Sequence, residues 1–95
     1  MDTKWKVEVL PSAQRELDVL GDPVRREATQ AIADLGEDPF PPGHIRLEGF
    51  RDRYRIRFYR DQYRIVYRVS EQQQKVVVLR IRSRGTAYGG WEPKK

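Results

Sequence analysis

The second half of the chain alternates apolar and charged residues, and this alternation constrains the fold more than any other feature. It runs through three segments, residues 54–60, 63–70 and 75–83. Side chains of a β-strand point to opposite faces in turn, so the pattern predicts half-buried strands. The joints at residues 60–62 and 71–74 are short enough for β-hairpins. The sequence therefore predicts three consecutive antiparallel strands.

The first half predicts one strand and two helices. Trp5, Val7 and Val9 share one parity over residues 4–10, and Pro11 stops that strand and opens a helix. Gly21 ends this helix, and the second begins at Asp22 and Pro23 by N-cap and first-turn chemistry. The helical stripes are Ala13, Leu17 and Leu20, and then Val24, Ala28, Ile32 and Leu35. The short joint between them implies a helical hairpin.

Prolines make residues 36–43 a loop, and the glycines of residues 85–95 argue against a long final helix. The element order is β-α-α-β-β-β. We expect an α+β fold, a mostly antiparallel four-stranded sheet with the helical hairpin on one face. Length predicts a single domain over residues 1–95. The chain has no cysteine, no apolar signal sequence and no apolar run of about 20 residues, so we expect a cytoplasmic protein without a membrane partner.

Charge is divided unevenly along the chain. The net charge is +5, and residues 46–84 carry twelve basic side chains against four acidic ones. Eleven of those twelve are arginines. The arginine side chain presents a planar fork of donors that matches phosphate oxygens. This balance predicts a polyanionic partner such as a nucleic acid.

Strand parity places the arginines together. The apolar sets, which include Tyr63, Tyr67 and, in the last strand, Val77, Leu79 and Ile81, must face the helices. The opposite face, called the arginine face below, then carries Arg55, Arg57, Arg64, Arg68, Arg80 and Arg82, with Arg84 added if the strand continues. Nearby acids are few, namely Glu48, Asp52, Asp61 and Glu71. A solvated polar face is the alternative, but charges of one sign on neighbouring strands favour a phosphate site.

These segments together resemble the RelE/ParE toxin superfamily, and its RelE branch most closely. The resemblance rests on Leu-x-Gly at residues 47–49, Tyr-Arg-x-Arg at 54–57 and Tyr-Arg-Ile-Val-Tyr at 63–67. A valine-rich strand at 76–79 and a basic segment at 82–88 that ends in Tyr88 complete it. The leading strand and helical hairpin match in order, so the resemblance covers nearly the whole chain.

The resemblance implies a toxin of a type II toxin–antitoxin system that cleaves messenger RNA in the ribosomal A site. The 2′-hydroxyl of the RNA would attack the adjacent phosphate. The implied catalytic residues are Arg55, Arg57, Arg64, Tyr88 and a C-terminal arginine, which is either Arg82 or Arg84. Arg82 has the right parity, whereas Arg84 lies in an Arg-Gly-x-Ala-Tyr segment found in some members.

The sequence offers little conventional nuclease chemistry. Some relatives have lysine where this chain has Arg55 and Arg57, and arginine is a poor general base because it does not deprotonate. Both can still stabilise a phosphorane electrostatically. His44 lies in the proline-rich loop, where a bystander is the expected role. No acidic cluster suggests a metal, so we expect no cofactor. Tyr59 shares the arginine parity and could stack on a base.

Two alternatives remain at this stage. One is a ParE-like toxin that acts on DNA gyrase, and the other is a non-catalytic RNA-binding module. A double-stranded-RNA-binding domain would have the order α-β-β-β-α. For a toxin, we expect a hetero-oligomeric complex with a cognate antitoxin that is acidic and partly disordered. Such a partner would add an amphipathic helix or a strand and cover some of the arginines.

Overall fold

The fold follows the predicted element order, with one additional strand. A computed structural model describes residues 4–83 of the chain. Its elements are β1 (Lys6–Val9), α1 (Pro11–Asp18), α2 (Val24–Leu35), β2 (Ile45–Arg46), β3 (Arg53–Phe58), β4 (Tyr63–Ser70) and β5 (Lys75–Ser83). The strands form one sheet in the order β1-β5-β4-β3-β2. Two helices and a mixed, mostly antiparallel sheet confirm the α+β class, and this order differs from that of a double-stranded-RNA-binding domain.

The sheet has five strands where four were predicted. β1 pairs in parallel with β5, while β3, β4 and β5 form two antiparallel hairpins. The added strand, β2, is two residues long and pairs antiparallel with the outer side of β3. A two-residue segment after a proline-rich loop shows no alternation, so the pattern could not reveal it. Gly49, at φ 89°, provides the left-handed position of the turn that leads into β3.

Both helices pack on one face of the sheet and form the core there. Ala13 and Leu17 come from α1, and Ala28, Ile32 and Leu35 come from α2. The facing strand residues are Ile56, Phe58, Ile65, Tyr67, Val69, Val76, Val78 and Ile81. Tyr67 is fully buried and its hydroxyl donates to the carbonyl of Pro39 at 2.7 Å. Burial raises the pKa of Tyr67 above its usual range. The predicted core positions of Tyr63 and Tyr67 are confirmed.

A bulge changes the parity of β5. Tyr67 pairs with Val78 and Val66 with Arg80, so Leu79 is one residue more than β4 can match. Val76 and Val78 therefore face the helices together with Ile81. The prediction that Val77 and Leu79 belong to this face was wrong, because strict alternation does not hold across a bulge. Arg80 and Arg82 follow the bulge and keep the predicted face.

Two local predictions were also wrong. Tyr59 follows β3 and begins a turn of three consecutive left-handed residues, with φ values of 53°, 56° and 66° for Tyr59, Arg60 and Asp61. The turn directs the Tyr59 ring against Tyr63, 6.1 Å away, on the core side. The second helix begins at Val24 after Pro23 without a side-chain cap, and Asp22 instead forms an exposed ion pair with Arg25.

Candidate functional site

Strand pairing aligns the arginines in rows that cross the sheet. Arg57 pairs with Arg64, and Arg64 pairs with Arg82, so one row holds three arginines on three neighbouring strands. The adjacent row holds Arg55, Val66 and Arg80. Side chains of directly paired residues have Cβ atoms about 4.5–5.5 Å apart. Four of the predicted site residues, Arg55, Arg57, Arg64 and Arg82, thus lie together on the arginine face.

The centre of the arginine face is buried, although the sequence predicted an open face. Arg64 is 5% exposed, Arg55 is 8% exposed and Val66 is fully buried. Arg64 lies on the central strand between the long side chains of Arg57 and Arg82, whose methylene stems can cover their neighbours. Its terminal nitrogen reaches the carbonyl of Asp61 at 3.5 Å, along the sheet toward the β3–β4 turn. Strand alternation reveals the face of a side chain but not this lateral packing.

At the β5 end of the row, helix α1 contributes an acid that the sequence reasoning missed. One carboxylate oxygen of Glu16 accepts the Nε–H of Arg80 at 3.1 Å and of Arg82 at 2.7 Å. Its other oxygen accepts the backbone N–H of Ile81 at 2.7 Å. The only available signal was the position of Glu16 beside Leu17, at the border of the apolar stripe of an acidic N-terminal half.

The β3 end of the row is looser and lines a cleft. Arg57 forms an ion pair of 3.8 Å with Asp61, and both side chains are substantially exposed. The cleft has a volume of about 300 Å³ and is lined by Pro42, Gly43, Ile45, Arg55, Ile56, Arg57 and Asp61. Two predicted site arginines therefore border a concave surface that is open to solvent on one side.

His44 is separate from the arginine rows. Its ring packs against those of Phe40 and Tyr54, with centroid distances of 5.6 and 5.8 Å, and these two rings also contact each other at 5.2 Å. Its Nδ1 lies 2.8 Å from the carbonyl of Pro41, which requires Nδ1 to carry a proton as the donor. Tyr54 belongs to the helix-covered face of β3, so this arrangement agrees with the bystander role expected for His44.

Two of the predicted site residues, Arg84 and Tyr88, lie outside the described residues, as does the segment 85–95. Within residues 4–83, no group of three or more His, Cys, Asp or Glu side chains is placed to hold a metal ion. Neither helix in this part of the chain is long and apolar enough to cross a membrane. The arginine face presents clustered N–H donors and positive charge, which suit phosphate oxygens.

Solved structures of RelE toxins resemble this fold. The isolated Escherichia coli RelE toxin is 25% identical with a TM-score of 0.73, and the match covers 83% of each chain. The archaeal RelE–RelB complex from Pyrococcus horikoshii OT3 is 26% identical with a TM-score of 0.75, over 88% of this chain and 99% of that one. The RelBE2 toxin–antitoxin complex from Mycobacterium tuberculosis is 25% identical with a TM-score of 0.70, over 85% of this chain and 99% of that one.

Sequence comparison with protein families adds a second finding. No curated protein matches the chain. A family model does match, over residues 7–88, and it describes the ParE toxin of the type II toxin–antitoxin system parDE. The match spans most of the chain and includes both helices and every strand that borders the arginine face. The chain therefore belongs to the ParE toxin family of type II toxin–antitoxin systems, within the RelE/ParE superfamily.

Proposed function

We propose that this toxin is a ribosome-dependent endoribonuclease that cleaves messenger RNA by attack of a 2′-hydroxyl on the adjacent phosphate. The row of Arg57, Arg64 and Arg82 carries the proposal. Three guanidiniums on neighbouring strands concentrate positive charge, and the carboxylates of Glu16 and Asp61 offset only part of it at the two ends of the row. A phosphate that becomes pentavalent during the reaction gains negative charge on its equatorial oxygens, which is the species such donors stabilise best.

Each arginine has a distinct place in this scheme. Arg64 lies at the centre of the row and is buried, so its charge acts in a medium of lower effective dielectric constant than water. Arg57 and Arg82 flank the phosphate from the two neighbouring strands. Arg55 borders the cleft one row away, where it can contact the next phosphate. We assign the remaining contacts to Arg84 and to Tyr88, which would stack on a base.

The partner of the toxin is proposed to be an acidic antitoxin. The Pyrococcus horikoshii and Mycobacterium tuberculosis relatives were solved in complexes of RelE with RelB and of RelBE2. A strongly basic face binds nucleic acid largely without regard to sequence, so a partner must mask this face while the toxin is kept inactive. An acidic, partly disordered segment that folds on contact would supply that cover and match the charge.

The decisive experiment is cleavage of a messenger on programmed ribosomes, mapped by primer extension, beside the same RNA without ribosomes. We expect cuts only on ribosomes, with 2′,3′-cyclic or 3′-phosphate ends, because the RNA supplies its own nucleophile. Ends carrying 5′-phosphate and 3′-hydroxyl would contradict this mechanism. Arg82→Ala and Arg84→Ala, tested separately, decide which is the C-terminal catalytic arginine. Arg26→Ala, on the exposed surface of α2, is the matched control.

Action on DNA gyrase is the second candidate, because the family model that matches the chain is that of ParE. A gyrase poison binds a protein surface and needs no phosphate site, so the arginine row would have no role in the reaction. Supercoiling by purified gyrase with and without the toxin separates the two functions. Inhibition of gyrase together with uncut ribosome-bound messenger would establish the second function and refute the first.

A further inference from the structure

Glu16 makes three contacts at one point of the arginine face. Its two carboxylate oxygens accept the Nε–H of Arg80, the Nε–H of Arg82 and the backbone N–H of Ile81, at 3.1, 2.7 and 2.7 Å. Glu16 is 64 to 66 positions away from these three residues in sequence, so the contacts are tertiary. The Glu16 side chain is only 20% exposed, which protects them from much of the screening that weakens surface ion pairs.

The backbone explains why a carboxylate fits at this point. β1 ends at Val9, and the last backbone hydrogen bond on this side of β5 joins the Leu10 N–H to the Val78 carbonyl. The chain then enters α1 at Pro11, so β1 does not extend alongside Ile81. The Glu16 carboxylate takes the place of a strand carbonyl and accepts the Ile81 N–H. The same oxygen pair thereby comes within reach of the side chains on both sides of Ile81.

The contacts fix the direction in which the two arginines point. Glu16 engages each guanidinium through Nε–H, so these two hydrogen bonds do not themselves use the terminal amino groups. Arginine uses those terminal groups to form paired hydrogen bonds with phosphate oxygens. An arginine held at Nε loses much of the rotamer freedom that a phosphate would otherwise have to restrict on binding. The negative charge also offsets the mutual repulsion of Arg80 and Arg82.

We propose that Glu16 is a positioning residue, which holds Arg82 in the orientation required at the reacting phosphate and steadies Arg80 beside it. This inference rests on the proposed ribonuclease function. Glu16 itself does not contact RNA and takes no proton. It acts through Arg82, the third arginine of the row, from a helix that lies outside the arginine face.

A positioning role and a general charge effect predict opposite results. Glu16→Gln removes one negative charge beside a polyanion site, which on electrostatic grounds strengthens ribosome binding and speeds cleavage. If Glu16 positions Arg82, the same change lowers the cleavage rate at saturating ribosomes while the KM for ribosomes stays equal or falls. Misplacement of a catalytic group by about 1 Å can cost 10²-fold, so we expect a loss of between about tenfold and a hundredfold.

The experiment measures single-turnover cleavage on programmed ribosomes for the wild type, Glu16→Gln and Glu16→Asp. Aspartate keeps the charge but shortens the side chain by one methylene, so it cannot reach all three donors and should also cleave slowly. A charge effect alone would leave Glu16→Asp at the wild-type rate. Asp18→Asn removes a charge from the exposed side of the same helix and is the control, expected to cleave as the wild type does.

A double variant tests whether Glu16 acts through Arg82. Arg82→Ala combined with Glu16→Gln should cleave no more slowly than Arg82→Ala alone, because nothing remains to be positioned. Full multiplication of the two losses would mean that Glu16 only supports the fold, and would overturn the inference. Wild-type cleavage rates in both Glu16 variants would overturn it as well.

An NMR measurement separates this inference from the proposed function. The Nε–H signals of Arg80 and Arg82 should be protected from solvent exchange in the wild type and in Asp18→Asn, and should lose that protection in Glu16→Ala, which removes both acceptor oxygens. Unchanged signals in Glu16→Ala would refute the contacts themselves, whatever the enzyme does. Protected signals in a wild type that does not cut ribosome-bound messenger would refute the ribonuclease function, and with it the catalytic role of Glu16.

Discussion

The central strand β4 is buried on both of its faces, but one face carries only apolar and aromatic side chains while the other includes arginine. On the helix side, Ile65 and Tyr67 are fully buried among aliphatic and aromatic side chains. On the other side, Val66 is equally buried, but its neighbour Arg64 is a cation that is only 5% exposed. Both sides meet the geometric demands of a strand. The helix side gains free energy from removing apolar surface from water along the whole strand, whereas the other side combines the buried Val66 with a buried charge.

The difference indicates what each face is for. A buried guanidinium costs free energy unless its charge and its hydrogen bonds are compensated, so a face built from arginines stabilises the fold poorly. Binding sites often retain such residues at the expense of stability. The helix side therefore carries the fold, whereas the arginine face fits the anionic ligand that we propose for it. Substitutions on adjacent residues of β4 can test this division.

The largest effect is expected at Arg64. Arg64→Ala removes the central donor of the row, and loss of one such donor typically lowers the rate by about 10²–10³. Arg64→Met should reduce cleavage as much, while unfolding in urea shows stability within about 1 kcal/mol of the wild type or above it, because an apolar side chain of similar volume replaces a buried charge. Retained cleavage in Arg64→Met would place the reaction elsewhere on the molecule.

Substitution of the next residue, Ile65, should have the reverse effect, with lower stability and unchanged cleavage. Ile65→Ala deletes fully buried methyl and methylene groups, which should lower the free energy of unfolding by about 2–5 kcal/mol. Ile65→Val, which removes less, should cost about 0.5–1.5 kcal/mol. Cleavage per folded molecule should stay at the wild-type level in both, when rates are corrected for the folded fraction. A rate loss in Ile65→Val with unchanged stability would mean that the two faces do not act independently.

Sequence alone predicted which face each β3 and β4 side chain occupies, because the two strands alternate without interruption. The same reasoning failed in β5, where the bulge at Leu79 shifts Val76 and Val78 to the helix side. Nothing in a run of valines and one leucine reveals where a bulge lies, since each residue suits either face. The arginine row survived this error because Arg80 and Arg82 both follow the bulge.

Glu16 shows a second limit of sequence reasoning. The contact between Glu16 and Arg82 depends on where β1 ends and on how α1 lies along the edge of β5. Local periodicity carries no information about either. The pair of Arg57 and Asp61, in contrast, is four residues apart across one turn and could be anticipated from nearby acids. The two ends of the row thus differ in two ways. Arg82 is held by a tertiary contact that the sequence does not reveal, and Arg57 by a local contact that it does.

The smallest effect is therefore expected at Asp61. Its contact with Arg57 is 3.8 Å long, and the two side chains are 65% and 40% exposed, so water and salt screen most of the attraction. Asp61→Asn should change the free energy of unfolding by about 0.5 kcal/mol or less, and cleavage by roughly threefold or less. Parallel urea unfolding and single-turnover cleavage, at two salt concentrations, measure both. A loss as large as that of Glu16→Gln would show that the β3 end of the row is held as firmly as the β5 end, and that exposure does not distinguish them.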